Sequence, residues 1–373
     1  MDKLNLNALI ANEWSNCRYI VDLRAYFEAD LLYDGYAVIL PREGRFKVLG
    51  PWLEGQLTGG YSSGGYGFSL PGWKSYPFVS ATLIADQWAR VYAGILKELH
   101  ADKGTVGIDV MHAPIYVELK RLLPKVKLVP IFAELLQIRS VKTAEEIMFH
   151  RKAAEIGDLG LMAGLEMIKE GVTEYAATGK MLDAMFSAGS EHEPFVASFC
   201  SGPEADHYFS SSRKLRKGDL ASFDIGSVAG GYISDQMRTG CVGEPSKEAR
   251  EMYTLLYNAY FEGVKKLRPG ASAIEIDETI RSAIIAGGFP DFEYSIGHGV
   301  GLRTQDLPFF AREGDYQGPK GWTTLKSGMV LALEPKISKV GVGSVGLEDT
   351  VLITDGGYEI LNKVHRSEEL LVK

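Results

Sequence analysis

The chain has 373 residues, with 40 Lys+Arg against 48 Asp+Glu and a formal net charge of -8. That length predicts two or three domains and permits a large buried core, and 46% hydrophobic with 24% charged residues excludes global disorder. The acidic balance, with no basic stretch and no apolar run near 18 residues, argues against nucleic-acid and membrane partners.

The opening MDKLNLNALIANEWS has no cationic segment followed by an apolar one, so it does not read as a signal peptide. Cys17, Cys200 and Cys241 are odd in number and far apart, which suits a reducing compartment better than a disulfide framework. A soluble, cytoplasmic protein is expected.

In chain order, Tyr36–Pro41 and Phe46–Gly50 are apolar runs joined by Arg42-Glu-Gly-Arg45, a hairpin signal. Leu57–Trp73 is rich in Gly, Ser and Tyr without strand or helix period, and is expected as a surface loop. A helix is predicted over Ala85–Leu99, a strand over Thr105–Asp109 and a helix over Pro114–Leu123. The alternation favours an α/β N-terminal domain over 1–142.

From 143 to 373 the pattern becomes α+β. A helix starts at Thr143 with Glu145 and Glu146 in its first turn, where the helix dipole favours acids. Ile147, Ala154, Ile156, Leu159, Leu161 and Met162 roughly share one broad face of it. Further helices are expected after Thr173, over Glu248–Leu267 and over Ala273–Ala286. Strands are expected over Phe195–Cys200, Asp219–Gly226, Tyr232–Cys241, Met329–Ile337 and Gly346–Thr354.

The strongest signal is Phe223-Asp-Ile-Gly-Ser-Val-Ala-Gly-Gly-Tyr-Ile-Ser-Asp235. A hairpin centred between Ala229 and Gly230 places Asp224 directly opposite Asp235, with Cβ atoms about 4.5–5.5 Å apart. Two carboxylates so placed repel unless a cation lies between them. Glu334 and Glu348 repeat the logic across a hairpin centred on Gly341. His298, in Ile296-Gly-His298-Gly-Val-Gly301, has glycines on both sides that let a metal or substrate approach the imidazole. One imidazole with four carboxylates suits two divalent ions such as Mn²⁺, Co²⁺, Fe²⁺ or Zn²⁺, which lower the pKa of a shared water.

Asp224, Asp235, His298, Glu334 and Glu348, in that order, resemble the ligand pattern of the pita-bread metallopeptidases, which include methionine aminopeptidases, prolidases and creatinase. The match covers roughly residues 140–373, and the preceding domain resembles that of the prolidase and creatinase branch. The resemblance implies metal-dependent hydrolysis of Xaa-Pro dipeptides or short peptides by a homodimer. It implies that Asp224 chelates one metal, that Asp235 and Glu348 bridge the pair, and that His298 and Glu334 hold the other. Glu334 would also handle the proton of the attacking water. His207, in Ser201-Gly-Pro-Glu-Ala-Asp-His207, matches a substrate-site histidine, and the Tyr61–Trp73 segment is a candidate lid.

Four features depart from that pattern. Gln305 stands where a second histidine is expected in the substrate site, and an amide carries no proton at neutral pH. Gly346 stands where an arginine is usual, and Met237 where threonine is common. The loop from Gly202 to His207 is about two residues short. None touches the five ligands, so a non-peptide metabolite is the alternative substrate. A non-catalytic peptide-binding module is a third reading, which the complete ligand set disfavours.

Overall fold

A computed structural model of the chain describes residues 1–23, 37–49, 67–68, 85–204, 209–290, 295–315, 318–364 and 366–373. His207 and the candidate lid lie outside the described residues, apart from Gly67–Phe68. The chain divides into two compact units, Met1–Ile138 and Arg139–Lys373.

The first unit is built on a six-stranded mixed sheet. Its strands are β1 (Ala8–Ala11), β2 (Ala37–Pro41), β3 (Lys47–Leu49), β4 (Gly67–Phe68), β5 (Thr105–Ile108) and β6 (Lys127–Pro130), in the order β4-β3-β2-β1-β5-β6. The β2–β3 hairpin turns where the sequence predicts, with Gly44 at φ 100°. β4 corrects the expectation of a loop without strand structure, because Gly67–Phe68 pairs with β3.

Alternation along β1 sends Ala8 and Ile10 to one face and Leu9 and Ala11 to the other. Helix α2 (Ala85–Glu98) covers the first face with Trp88, Tyr92 and Leu96, and α3 (Ala113–Leu122) adds Ile115 and Leu119. Three elements escape the sequence reading, each for a local reason. β1 is four residues long and buried throughout, so it shows no period. Helix α1 (Trp14–Val21) buries Ser15, Asn16 and Arg18 and so lacks an apolar stripe. β6 is a largely accessible strand at the sheet edge.

Helix α4 (Phe132–Ser140), also unanticipated, is followed by α5 (Ala144–Glu166). Thr143 caps α5 in a full capping box: its hydroxyl accepts the Glu146 amide (3.3 Å), and the Glu146 carboxylate accepts the Thr143 amide (2.7 Å). The predicted apolar face is narrower than expected. Leu159 and Met162 are 42% and 44% exposed, while Gly157, Gly160 and Gly164 lie on the buried side.

α5 and α6 (Glu174–Ser187) pack on a four-stranded sheet made of β7 (Ser198–Ser201), β8 (Leu220–Ala229), β9 (Tyr232–Cys241) and β17 (Leu371–Val372), in the order β17-β9-β8-β7. α7 (Lys247–Val264) and α8 (Ala273–Ala286) pack on a second sheet. This one holds β10 (Gly297–Gly299), β11 (Asp306–Phe309), β12 (Val330–Leu333), β15 (Asp349–Thr354) and β16 (Gly357–Ile360), in the order β11-β10-β12-β15-β16. A two-stranded ribbon, β13 (Lys336–Lys339) with β14 (Gly343–Gly346), lies between β12 and β15 in the sequence. Among the described residues no helix is long and apolar enough to cross a membrane.

Two register findings set the site. The β8–β9 turn is Gly230-Gly231, at φ 58° and 84°, closed by the Ala229–Tyr232 pair. Two consecutive positive φ values suit a tight hairpin turn whose twist matches the strands. The centre is therefore one residue later than expected. Asp224 faces Met237 and Asp235 faces Gly226, so the two aspartates are not directly opposed. The error is two positions in register, which preserves the side-chain period, so both carboxylates still share one face.

In the second hairpin, β12–β15 and β13–β14 follow one register, with Leu333 opposite Asp349 and Lys336 opposite Gly346. Each predicted strand is nevertheless split. Pro335 has no amide to donate, and at Glu348 the chain leaves its hairpin partner to bridge Met237 of β9. Both glutamates thus sit at the step between two ladders.

The glycines around His298 serve packing more than access. A Cβ on Gly297 would lie 2.6 Å from the Ala332 carbonyl oxygen, and one on Gly299 would overlap the Leu307 carbonyl. Gly299→Ala should lower unfolding stability by about 1–3 kcal/mol, the usual cost of overpacking against a rigid neighbour. Urea denaturation checks this; an unchanged midpoint would mean that β10 and β11 separate freely.

Candidate metal centre

Asp224 on β8, Asp235 on β9, His298 on β10, Glu334 just past β12 and Glu348 just before β15 come from both sheets of the second unit. Asp235, His298 and Glu348 are buried, and each offers a ligand atom within 4.8 Å of the others. His298 Nε2 lies 3.2 Å from Glu334 Oε1 and 3.7 Å from Asp235 Oδ2. Glu334 keeps 25% of its side chain exposed, whereas Glu348 is fully buried. Gln305, by contrast, is exposed between β10 and β11 and makes no hydrogen bond among the described residues.

The electrostatics are those of acids with too little compensation. Burial pushes the Asp224 carboxyl up to about 7; the Glu334 charge adds to this, and Lys336 and His298 partly offset it. Asp235 is held well above the carboxylate range by burial, then by Asp224 and Glu334. Glu348 is held there by burial, then by Asp235, Asp224 and Glu334. Burial alone would lower His298, yet its hydrogen bond to Glu334 and that carboxylate's charge leave it raised overall.

Orphaned atoms test whether cations fit. Both oxygens of Glu348 and Oδ1 of Asp224 are buried without a hydrogen-bond partner. Leaving a buried acceptor unmet costs about 1–3 kcal/mol each, and more if it is charged. Glu348 offers an oxygen within 4.8 Å of a ring nitrogen of His298, whose Nδ1 lies 3.1 Å from the Gly299 carbonyl. A proton on Nδ1 would be held by that carbonyl, turning the Nε2 lone pair toward the carboxylates. Hard oxygens with one imidazole match divalent cations and disfavour a thiolate-type zinc site.

A second layer, which the sequence reading missed, fixes the backbone of this site. Arg238 is buried; its Nη1 donates to the Met237 and Glu348 carbonyls (2.8 and 2.6 Å) and its Nη2 to Asp349 Oδ1 (2.7 Å). Asp349 also accepts from Tyr260 Oη (2.6 Å) and Asn362 Nδ2 (2.6 Å). Burial opposes ionisation of Asp349, but Arg238 and Arg366 outweigh it and hold the group below its usual range. Thr350 Oγ1 accepts the Asp235 amide (3.0 Å) and donates to the Asp235 carbonyl (2.9 Å), tying β9 to β15. Asp277, paired with Arg281 at 2.8 Å on α8, accepts the Ile296 amide (3.3 Å) two residues before His298. The available signal was a charge set inside a strand pattern: Arg238 and Asp349 each lie within one or two residues of buried positions yet are themselves ionisable.

Two departures noted in the sequence prove to be one packing feature. A Cβ on Gly346 would overlap Met237 Sδ, so the absent side chain at 346 makes room for the thioether.

Two outcomes test these electrostatics. A carboxyl whose folded pKa is raised keeps a proton that the unfolded chain has already released, so it lowers stability as pH rises. Metal-free protein should lose stability from about pH 4 upward, through the pH of about 7 at which Asp224 ionises. Glu348→Gln, which removes one raised carboxyl, should weaken this loss of stability with rising pH while removing tight metal binding. Urea titrations in chelator, beside metal analysis, check both. Asp349→Asn should cost about 3–5 kcal/mol, because it strands the buried Arg238 charge; thermal unfolding reads this.

The model of metallopeptidase family M24 matches residues 149–355. An Xaa-Pro dipeptidase of Pyrococcus furiosus is 37% identical over 232 residues, 61% of this chain and 65% of that enzyme. An Xaa-Pro dipeptidase of Pyrococcus horikoshii is 35% identical over 232 residues, covering 61% and 64%. The aligned region thus spans just under two thirds of these relatives. The crystal structure of a Thermococcus sibiricus prolidase superposes with a TM-score of 0.82 at 28% identity, covering 100% of this chain and 96% of that one.

Proposed function

Because the chain belongs to metallopeptidase family M24, we propose that it hydrolyses the bond before proline in Xaa-Pro dipeptides or short peptides. The observation that carries the reading is the convergence of Asp235, His298 and Glu348, with partnerless Glu348 oxygens and with Glu334 against His298. The named dipeptidase relatives support the substrate class.

In this reading Asp224, Asp235, His298, Glu334 and Glu348 hold two divalent cations. When bound, such ions would supply Lewis acidity and lower the pKa of a coordinated water. The chain's own contributions follow from exposure and hydrogen bonding. Glu334, the partly accessible glutamate beside His298, receives the proton of the attacking water and delivers it to the departing amine. Asp235 and Glu348, both buried, fix the centre and exclude bulk solvent, which strengthens every charge interaction within it. Arg238, bonded to the Glu348 carbonyl, keeps that carboxylate from moving as charge develops.

Metal-depleted protein should be inactive on Leu-Pro and gain turnover with Mn²⁺ or Co²⁺, and Asp235→Asn should lose at least one bound metal. Unchanged metal stoichiometry in that variant would sink the ligand assignment. Protein that binds two metals but leaves proline peptides intact would keep the site and move the substrate to a small non-peptide metabolite.

A further inference from the structure

The five candidate ligands come from two sheets, so the dimensions of the centre depend on how those sheets are joined. Asp224 and Asp235 belong to the β8–β9 ladder, whereas His298, Glu334 and Glu348 lie on or beside β10, β12 and β15. A ladder fixes distances only within its own sheet.

The join is a seam between β9 and residues 346–350, with three rungs in one antiparallel register. At its centre Met237 and Glu348 exchange backbone bonds in both directions (3.4 and 3.1 Å). Two residues away on either side, a threonine hydroxyl takes the place of one backbone. Thr350 Oγ1 accepts the Asp235 amide (3.0 Å) and donates to the Asp235 carbonyl (2.9 Å). Thr239 Oγ1 accepts the Gly346 amide (2.8 Å) and donates to the Gly346 carbonyl (3.0 Å), and it lies 3.0 Å from Ser222 Oγ. Both threonines are buried.

The outer rungs are alike in chemistry but differ in what they hold. Thr239 grips Gly346, which carries no side chain, and Thr350 grips Asp235 itself. In an antiparallel ladder every second residue turns its amide and carbonyl away from the partner strand. Those of Asp235 turn away from β8 and meet Thr350, while across the ladder its neighbour is Gly226. The β8–β9 ladder therefore sets Asp235 relative to Asp224, and Thr350 sets it relative to the ligands of the second sheet. A strand edge released there can twist about its axis, and the twist swings the carboxylate.

We propose that Thr350 is a positioning residue for the cation centre: its hydroxyl fixes the aim of Asp235 and thereby sets the affinity for divalent cations. The assignment rests on Asp235 being a ligand. Groups that orient a ligand in this way typically carry about 10–100-fold of metal affinity.

The test uses Thr239 as a matched control. Calorimetry titrates Mn²⁺ into metal-depleted wild type, Thr350→Val, Thr350→Ser, Thr350→Cys, Thr239→Val and Asp235→Asn, and urea unfolding in chelator measures the folding of each. Thr350→Val should bind Mn²⁺ about 10–100-fold more weakly, and Thr350→Ser should stay within about threefold of wild type. Thr239→Val loses the same pair of bonds and the Ser222 contact, so it should lower the urea midpoint at least as much. Its affinity should nevertheless stay within about threefold of wild type.

Equal weakening in the two valine variants would make the effect one of folding and overturn the proposal. Wild-type affinity in folded Thr350→Val would do the same. Thr350→Cys, whose thiol is a weak donor and acceptor, should fall between serine and valine. It carries the test should the valine variant not fold, and wild-type affinity in it overturns the assignment. Binding that Asp235→Asn weakens and Thr350→Val does not would remove the positioning role alone. Wild type that binds no Mn²⁺ would remove the ligand assignment and this role together. Turnover of proline peptides plays no part in the readout, so the substrate reading stands or falls separately.

Discussion

Four carboxylates gathered around one imidazole, most of them out of water, set the terms for the rest of this structure. Like charges about 4 Å apart repel by about 4 kcal/mol even at an effective dielectric of 20, and Glu348 has no hydrogen bond to soften that cost. Without cations the chain answers by retaining protons: Asp224, Asp235 and Glu348 are all shifted up. A cation bound among these carboxylates would displace the protons they retain. The neighbouring Asp349 shows that burial alone does not decide the outcome. It is as buried as Glu348, yet two arginines hold it ionised. Adjacent acids thus meet opposite surroundings, Asp349 partnered within the protein and Glu348 with both oxygens unbonded.

Such a strained cluster needs a rigid frame, and the two hairpins provide it. The β8–β9 ladder runs ten residues on each strand without a break, so Asp224 and Asp235 have no freedom to move apart. The second hairpin instead changes ladders, and Glu334 and Glu348 occupy the change. Strand ends free a backbone to aim a side chain, but they also leave it less constrained. Arg238 answers this by bonding the Glu348 carbonyl and Asp349 together, and Asp277 does the same for the segment leading into His298.

Much of this was legible in the residues, and the limits of legibility are physical. Period two survives a register error of two, so the aspartate pair could be placed on one face although its turn was centred one residue early. The register of the Glu334–Glu348 hairpin could be found by symmetry about Gly341, but not its division, because the division depends on where β9 competes for the backbone of Glu348. Helix α1 was hidden by its polar buried side, and Leu159 and Met162 were misplaced because small glycines occupy the face they were assigned. Glu348 and Asp349, which Arg238 ties together, lie more than a hundred residues from it, a distance over which no local pattern carries information.

The same reasoning explains why Gly346 and Met237 looked like unrelated oddities. Read along the chain they are 109 residues apart and belong to different hairpins. Across the sheets the glycine's missing Cβ and the methionine's sulfur compete for one space, so neither residue could change alone without a clash or a cavity. A pair of this kind fixes the shape of the wall next to Asp224 and Glu348.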